Sequence, residues 1–284
     1  MKKRLLVTGG AGFLGNHLLR RATHFIAAGT LHHTPTTSLP GVTFHVCDLQ
    51  QPQEVRVLLD RVRPDIIIHA ACSERGKGLN AIVPAAGLLA IHTAEQNIRL
   101  IHLSTDQVFD GTYAPYTEEH PTHPINPYGT AKAEAETLMA SLNPLATIVR
   151  TSLLYDLRTP DHQTVRLIQT AQTGEPYRLF TDECRCPIWV ENLADVLLEL
   201  ARKDYAGILH VAGPDRLNRW EFGMGLLHHF GVTATSNIQQ GTIRESGLVR
   251  PKDLTMDSSR AKQLLQTPLL SLQEARRMAV TSES

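Results

Sequence analysis

A glycine-rich turn between an aliphatic run and a helical pattern restricts the possible folds of this chain more than any other stretch. RLLVTGG is typical of a buried strand that enters a turn, and FLGNHLLRRATH after it has helical spacing. Gly9, Gly12 and Gly15 lie between the two elements, where glycine permits a tight turn and a close backbone approach to a phosphate. No G-K-[ST] follows, which excludes the phosphate-binding loop of an NTPase. The turn therefore predicts a strand–turn–helix unit that binds a dinucleotide.

Strand and helix patterns continue to alternate along the chain. The runs HFIAAGTL, GVTFHVCDL, DIIIHAAC, IRLIHLST and ATIVRTSLLY read as further strands, and PQEVRVLLDRVRP has helical spacing. This order predicts right-handed crossovers and an α/β fold with a parallel, doubly wound sheet of the Rossmann type. VENLADVLLELARK is predicted as a later helix, and AGILHVAG as the last strand of the same sheet. We predict a dinucleotide-binding domain at 1–153 and 186–212, and a smaller substrate-binding lobe at 154–185 and 213–284.

Charge and cysteine usage exclude several classes of function. The 284 residues carry 28 basic and 28 acidic side chains, so no net charge favours nucleic acid or an anionic membrane as a partner. There is no run of 18 apolar residues and no signal peptide. Cys47, Cys72, Cys184 and Cys186 are too few and too scattered for a disulfide framework or a zinc site. We expect a cytoplasmic globular protein without a bound metal.

The segment after the second predicted strand bears on which dinucleotide binds. Residues 29–38, GTLHHTPTTS, contain no Asp or Glu that would accept from a ribose 2′-hydroxyl and repel a 2′-phosphate. His32 and His33 could donate to that phosphate, or they could belong to a solvated turn. This favours NADP(H), with NAD(H) as the alternative. Asp48 is placed to meet the adenine, and the small residues Ala70 and Ala71 allow a cofactor to pass close to the backbone. The predicted cofactor-binding residues are Gly9, Gly12, Phe13, Leu14, Gly15, His32, His33, Asp48, Leu49, Ala70, Ala71, Tyr128 and Lys132.

INPYGTAKAEAE, residues 125–136, predicts a helix with a chemically suggestive face. Asn126 is a favoured N-cap, and Pro127 at the first helical position loses a donor that has no partner there. Tyr128 and Lys132 are one turn apart and project from the same face, about 6 Å apart along the axis. By itself, such a pair also occurs by chance on a helix surface.

Taken together, the glycine turn and this Tyr-x-x-x-Lys pair resemble the short-chain dehydrogenase/reductase superfamily, in its extended form. The segments RPDIIIHAAC, HLSTDQVFDG, INPYGTAKAEAE, IVRTSLLY, DECRCPIWVENLAD and RPKDLTMDSSRA are similar, in matching order, to the dTDP-4-dehydrorhamnose reductase family. The resemblance covers residues 5 to about 262.

The resemblance implies roles for three catalytic residues. Tyr128 would protonate a ketone oxygen as hydride arrives from the nicotinamide. Lys132 would hold the nicotinamide ribose and supply the cation that a phenol of pKa near 10 needs at neutral pH. Lowering that pKa by about three units corresponds to about 4 kcal/mol. Thr105 would hydrogen-bond the substrate carbonyl, with Ser104 as the alternative hydroxyl.

The chain departs from the family on the substrate side. Gln107 stands where family members commonly carry Tyr, and Leu153 where they commonly carry an aromatic residue. An active-site Asn of the family is replaced near Pro84. Arg185 and Arg250 could each grip a substrate diphosphate, or each could form a surface ion pair. The predicted substrate-binding residues are Gln107, Leu153, Arg185 and Arg250.

Three functions follow from the resemblance. The leading one is an NAD(P)H-dependent reductase of a 4-keto-6-deoxy sugar nucleotide, as a monomer or a homodimer. An epimerase or dehydratase would want a carboxylate beside the serine–threonine pair, and Asp106 is there, although reductases share it. The third is a non-catalytic NADP-binding regulatory subunit of the same fold, like that of methionine adenosyltransferase. Retention of Thr105, Tyr128 and Lys132 argues against it.

Overall fold

The computed structural model describes residues 1–32, 38–72, 78–234 and 236–281. Within these ranges no helix is long and apolar enough to cross a membrane. The strands of the described residues are β1 (Arg4–Thr8), β2 (Ile26–Leu31), β3 (Val42–Val46), β4 (Ile66–His69), β5 (Arg99–Thr105), β6 (Thr147–Thr151), β7 (Leu154–Tyr155), β8 (Tyr177–Phe180), β9 (Cys184–Arg185), β10 (Ile188–Trp189), β11 (Gly207–His210), β12 (Leu217–Asn218) and β13 (Ile238–Gly241).

The helices lie between these strands and after the last of them. They are α1 (Phe13–Arg21), α2 (Pro52–Val62), α3 (Ile82–Glu95), α4 (Pro127–Leu142), α5 (His162–Thr173), α6 (Val190–Leu200), α7 (Arg219–His229), α8 (Ile243–Ser246), α9 (Ser259–Leu264) and α10 (Leu272–Thr281). Short 3-10 helices occupy Leu79–Ala81 and Asp106–Val108.

Seven of the strands form one parallel sheet, in the order β11-β6-β5-β4-β1-β2-β3. The order reverses at β1, from which the chain proceeds to β2 and β3 on one side and to β4, β5 and β6 on the other. The predicted α/β class with a doubly wound parallel sheet is confirmed, and AGILHVAG does supply the edge strand β11. The glycine turn follows β1 at the carboxyl edge of the sheet, where ligands of such folds bind.

One face of the sheet has an apolar row and, next to it, a polar row. The apolar row packs against α2, α3 and α4, and its members include Leu6, Ala28, Ile67, Leu100 and Ile148. Two residues further along their strands, on the same face, come Thr30, Thr8, His69 and His102, which lie side by side in register. The sheet therefore presents polar side chains beneath its helices just before the carboxyl edge.

The stretch ATIVRTSLLY differs from its prediction as one strand. It forms β6 in the central sheet and, after Ser152 and Leu153, the separate strand β7, which pairs in parallel with β10. Aliphatic residues on both sides of the break give the two strands one continuous pattern, which periodicity cannot divide.

The chain folds as two compact units. The first comprises Met1–Thr105, Pro127–Arg150 and Ala194–Leu209, and the second comprises Asp106–Asn126, Thr151–Leu193 and His210–Ser284. Residues 106–126, 151–153, 186–193 and 210–212 thus group with the second unit, although the sequence pattern assigns them to the dinucleotide-binding part. The division into two domains of separate function stays a prediction.

Candidate active site

The glycine turn brings backbone close to backbone at the carboxyl edge of the first unit. Gly9 has φ +70°, and a Cβ on it would lie 2.7 Å from Cα of Ala71, so only glycine fits. A Cβ on Gly15 would lie 2.1 Å from the Gly9 carbonyl oxygen. By contrast, Gly12 is exposed, and a Cβ there would meet nothing but that oxygen, at 3.1 Å. Gly12 is also the N-cap of α1, and the N–H groups at the start of a helix favour an anionic ligand.

Hydrogen bonds hold this turn against the neighbouring strand ends. The Gly9 N–H donates to Thr30 Oγ1 (3.1 Å), and the Ala71 N–H donates to Thr8 Oγ1 (3.2 Å). Thr8 Oγ1 also shares a 2.7 Å hydrogen bond with Nδ1 of buried His69. The polar row thus ties together the two backbone segments that are predicted to meet the cofactor, at Gly9 and at Ala70–Ala71.

The predicted ribose and adenine residues lie at the ends of β2 and β3. His32 is exposed, and its Nε2 lies 4.0 Å from Oδ2 of Asp48, which with Leu49 follows β3. The Gln50 N–H donates to the Asp48 carboxylate, and this hydrogen bond leads the causes that lower the pKa of Asp48. His33 lies outside the described residues. The assignment of these residues to the cofactor stays a prediction.

Helix α4 begins at Pro127, directly after Asn126, as the sequence predicts. Lys132 is buried, with 4 % of its surface exposed, and its Nζ donates to the Leu103 carbonyl oxygen of β5 at 2.6 Å. Tyr128 is half-buried, and its hydroxyl lies 3.9 Å from Sγ of Cys72. Thr105 is the buried last residue of β5. All three predicted catalytic residues therefore belong to the first unit, at the end of β5 and the start of α4.

Two buried histidines stay neutral near the Lys132 ammonium. Burial, helped by the charge of Lys132, lowers the pKa of His69 to about 3 and that of His102 well below its ordinary value. Their rings lie 5.1 Å apart, and neither nitrogen of His102 has a hydrogen-bond partner among the described residues. Burial also lowers the pKa of Lys132, while Cys72 and then Glu136 oppose that change electrostatically. Since both imidazoles are uncharged, Lys132 meets no second cation from the polar row at neutral pH.

A buried ionic network on α4 was not among the predictions from sequence. Both carboxylate oxygens of Glu136 accept from Nε of Arg150 at 3.1 Å, and one accepts from Nη2 at 2.7 Å. The Ser104 hydroxyl donates to the same carboxylate. We call Ser104, Glu136 and Arg150 the α4 network. Its one sequence signal is the four-residue spacing of Lys132 and Glu136 in AKAEAE. The Ser104 proton is therefore engaged within this network.

A second buried ionic network lies in the second unit. Oδ2 of Asp106 accepts from Nε of Arg185 (2.7 Å) and from the Ser152 hydroxyl (2.6 Å), while Oδ1 accepts from Nη2 of Arg185 at 2.5 Å. Asp106 is fully buried, and Arg185 is 6 % exposed. We call Asp106, Ser152 and Arg185 the Asp106 network. For Arg185 the sequence leaves open a substrate diphosphate or a surface ion pair, and the structure places its guanidinium in a buried ion pair.

The other predicted substrate-binding residues also lie in the second unit. Asn126 Nδ2 donates to Oε1 of half-buried Gln107 at 3.2 Å, and the Leu153 carbonyl oxygen accepts the Ile188 N–H at 2.8 Å. The side chain of Arg250 is 45 % exposed, with Nη1 3.1 Å from Oε2 of Glu183. Its guanidinium also lies over the Phe180 ring, 5.6 Å from the centroid. Arg250 thus keeps donors near solvent, unlike Arg185. Among the described residues, no three His, Cys, Asp or Glu side chains are grouped to hold a metal.

Comparison with known proteins places the chain among characterised sequences. It is 34% identical, over 220 residues, to a dTDP-4-keto-6-deoxy-D-glucose reductase of Streptomyces niveus. The aligned residues cover 74% of this chain and 73% of the relative. It is 25% identical to the methionine adenosyltransferase 2 subunit beta of Xenopus laevis, over 92% of this chain and 82% of that protein. A dTDP-4-dehydrorhamnose reductase structure from Bacillus anthracis, solved with NADP, matches with a TM-score of 0.85 at 22% identity, over 99% of this chain and all of the other. The sequence profile of the RmlD substrate binding domain matches residues 2–283, and the chain belongs to that family.

Proposed function

We propose that this protein is an NAD(P)H-dependent reductase that acts on the keto group of a 4-keto-6-deoxy sugar nucleotide. The observation that carries the proposal is the placement of Thr105, Tyr128 and Lys132 at the end of β5 and the start of α4. They lie at the same sheet edge as the glycine turn. The name of the Streptomyces niveus relative supports the substrate class.

A nicotinamide dinucleotide fits the residues at this edge. Gly12 is exposed, the adjoining helix end favours a pyrophosphate, and the close approach of Gly9 to Ala71 keeps bulky side chains away. When bound, the cofactor supplies the hydride. We assign its binding to the glycine turn with Ala70, Ala71 and Lys132, and the region of its ribose phosphate to His32. No carboxylate occurs in residues 29–38, so NADPH is the expected reductant.

In this proposal Tyr128 donates its phenolic proton to the carbonyl oxygen of the substrate. Lys132 stabilises the phenolate that remains, because its ammonium is buried and therefore poorly screened by water. The Lys132 ammonium spends one N–H on the Leu103 carbonyl, which fixes it against β5 and leaves two donors for a ligand. Thr105 donates to the same carbonyl oxygen and orients it.

Substrate binding is assigned to Gln107, Leu153 and Arg250. Asn126 orients the Gln107 amide, and Arg250 offers a partly exposed guanidinium that can pair with a diphosphate. Arg185 is not included, because two of its nitrogens already donate to a buried carboxylate.

The test is direct assay of the purified protein with NADPH and a panel of 4-keto sugar nucleotides that includes dTDP-4-keto-6-deoxy-D-glucose. Oxidation of NADPH, followed at about 340 nm, is expected with at least one of them. Tyr128→Phe serves as the control that should bind NADPH without turnover. If the parent binds NADPH and reduces no member of the panel, the proposal fails and a non-catalytic NADP-binding role takes its place.

A further inference from the structure

The carboxylate of Glu136 lies one helical turn beyond Lys132, on the same buried face of α4. Only 4 % of each residue is exposed. The carboxylate accepts from the Ser104 hydroxyl and from two nitrogens of Arg150, so it is held in one place. A buried, fixed negative charge one turn from an ammonium acts on it with little screening.

The charged and titratable groups that face this helix face come from several elements. Strand β4 contributes His69, with Cys72 shortly after it, β5 contributes His102, and β6 contributes Arg150. The buried residues of α3, which packs on α4, carry no charge; they are Ile82, Ala85, Ala86, Gly87, Leu89, Ala90 and Thr93. Both imidazoles have lowered pKa values and are neutral at neutral pH, so they add no charge to this face.

The Glu136 charge changes the pKa of Lys132 and that of the proton donor Tyr128 in the same direction. Burial favours loss of the Lys132 proton and lowers its pKa, and Cys72 and then Glu136 oppose that change. The negative charge of Glu136 also disfavours ionisation of the Tyr128 phenol, about 12 Å away along the axis of α4. Removing it should therefore lower the pKa of Lys132 and of Tyr128 together, whichever of the two limits activity at high pH.

We propose that Glu136 is a positioning residue of the reductase, whose carboxylate, held by Ser104 and Arg150, keeps the Tyr128–Lys132 pair in its proton-bearing form at alkaline pH. This inference rests on the proposed function for its catalytic meaning. The effect of Glu136 on the pKa of Tyr128 is a property of the protein alone and can be measured without substrate.

The first measurement is the pH dependence of kcat for the parent and for Glu136→Gln, which keeps the size and an acceptor oxygen. The matched control is Glu134→Gln, which removes the same charge from an exposed position of the same helix. The alkaline limb should move to lower pH by about one unit in Glu136→Gln and stay in place in the control. A merely structural role would lower kcat at every pH without moving the limb.

The second measurement uses the protein without cofactor. Carbon-13 NMR of Cζ-labelled tyrosine follows the ionisation of each phenol, and the Tyr128 signal is the one missing in Tyr128→Phe. Glu136→Gln should lower the pKa of this phenol by about one unit. If the parent turns over nothing, the proposed function fails while this titration still tests the role of Glu136. An unchanged Tyr128 pKa in folded Glu136→Gln overturns the inference.

Arg150 would lose its buried partner in Glu136→Gln, and that variant could fail to fold. The double variant Glu136→Leu with Arg150→Met removes both charges and leaves apolar side chains, a change that buried pairs often tolerate. Its Tyr128 phenol should also have a lowered pKa, because Glu136, but not Arg150, is among the charged groups that act on Lys132. A phenol pKa equal to the parent's in this folded double variant would also overturn the inference.

Discussion

The α4 network and the Asp106 network use the same three kinds of side chain and differ in their neighbours. Each joins a buried carboxylate to an arginine that donates through two nitrogens and to a serine hydroxyl. The α4 network has a further buried cation, Lys132, one turn away. Near the Asp106 network the further cation is Arg219, a guanidinium that interacts with Arg185 and pairs with Glu183, with 3.9 Å between Nε and Oε1.

A buried ion pair can thus serve two purposes. A matched pair orders the strands and loops that carry it, and its net contribution to stability is small because desolvation offsets attraction. When the additional cation beside the pair is a lysine, which unlike arginine can lose its proton in a protein, the carboxylate also affects how readily that proton is lost. Four expected outcomes, given in decreasing order of magnitude, test this distinction between the two networks.

The greatest change is expected at the residue that the α4 network is proposed to serve. Tyr128→Phe removes one hydroxyl and keeps the ring, so turnover on a keto sugar nucleotide should fall by about 10²–10⁴-fold. NADPH affinity should change little, because the glycine turn and Lys132 remain. Single-turnover rates and calorimetric titration measure the two quantities. If Tyr128→Phe reduces the substrate as fast as the parent, Tyr128 is not the acid, and the two networks no longer differ in function.

Breaking the Asp106 network should lower the free energy of unfolding without shifting the pH dependence of kcat. Arg185→Met leaves the buried carboxylate of Asp106 unpaired and should lower the free energy of unfolding by about 3–5 kcal/mol. Urea denaturation measures this loss, and Arg216→Met, which breaks the more exposed pair with Asp253, serves as the control with less than about 1 kcal/mol. A raised KM for the sugar nucleotide with unchanged stability would instead return Arg185 to substrate binding.

The two serines allow a smaller and matched comparison. Ser152→Ala should lower the free energy of unfolding by about 2–3 kcal/mol, because its oxygen donates to Asp106 and also accepts the Cys186 N–H at 3.3 Å. Ser104→Ala loses one hydrogen bond and should cost about 1–2 kcal/mol. Both are measured by urea denaturation. Ser104→Ala should keep most of its turnover, whereas loss of turnover as large as in Thr105→Ala would show that Ser104 meets the substrate.

The smallest change is expected in the preference for NADPH over NADH. Neither network contains a predicted cofactor-binding residue, so variants of either should change the ratio of NADPH to NADH affinity by less than about twofold. Calorimetric titration of the parent should give NADPH at least as tight as NADH. A preference of the parent for NADH by about tenfold, or about 1.4 kcal/mol, would contradict the assignment of His32 and His33.

Much of the fold could be predicted because its signals are local. The glycine turn at Gly9–Gly15 lies between β1 and α1 as expected, and α4 begins at Pro127. The division of ATIVRTSLLY into β6 and β7 could not be predicted, because Leu153 and Leu154 continue the aliphatic pattern across the break. What ends β6 is the pairing of the following residues with Ile188–Trp189, more than thirty positions later.

For the candidate site, too, some features could be predicted from local sequence and others could not. Tyr128 and Lys132 could be recognised from a four-residue spacing, since helix geometry places them on one face. The partners of Arg185 and Arg250 could not, because Asp106 lies 79 residues from Arg185, and Glu183 lies 67 residues from Arg250. For each arginine the sequence left open whether it binds a substrate diphosphate or forms an ion pair. Only the exposed fraction of the side chain, which the tertiary structure sets, distinguishes the two arginines.

Local sequence therefore decides the alternation of strands and helices, the backbone freedom of the glycine turn, and the shared face of Tyr128 and Lys132. These depend on steric limits and helix periodicity that act within a few residues. The fold alone decides that Glu136 meets Arg150, that Asp106 meets Arg185, and that Lys132 is buried. The energy of a buried charge depends on which partners the fold brings within a few ångströms and on how much water it removes, and neither quantity is encoded by local spacing.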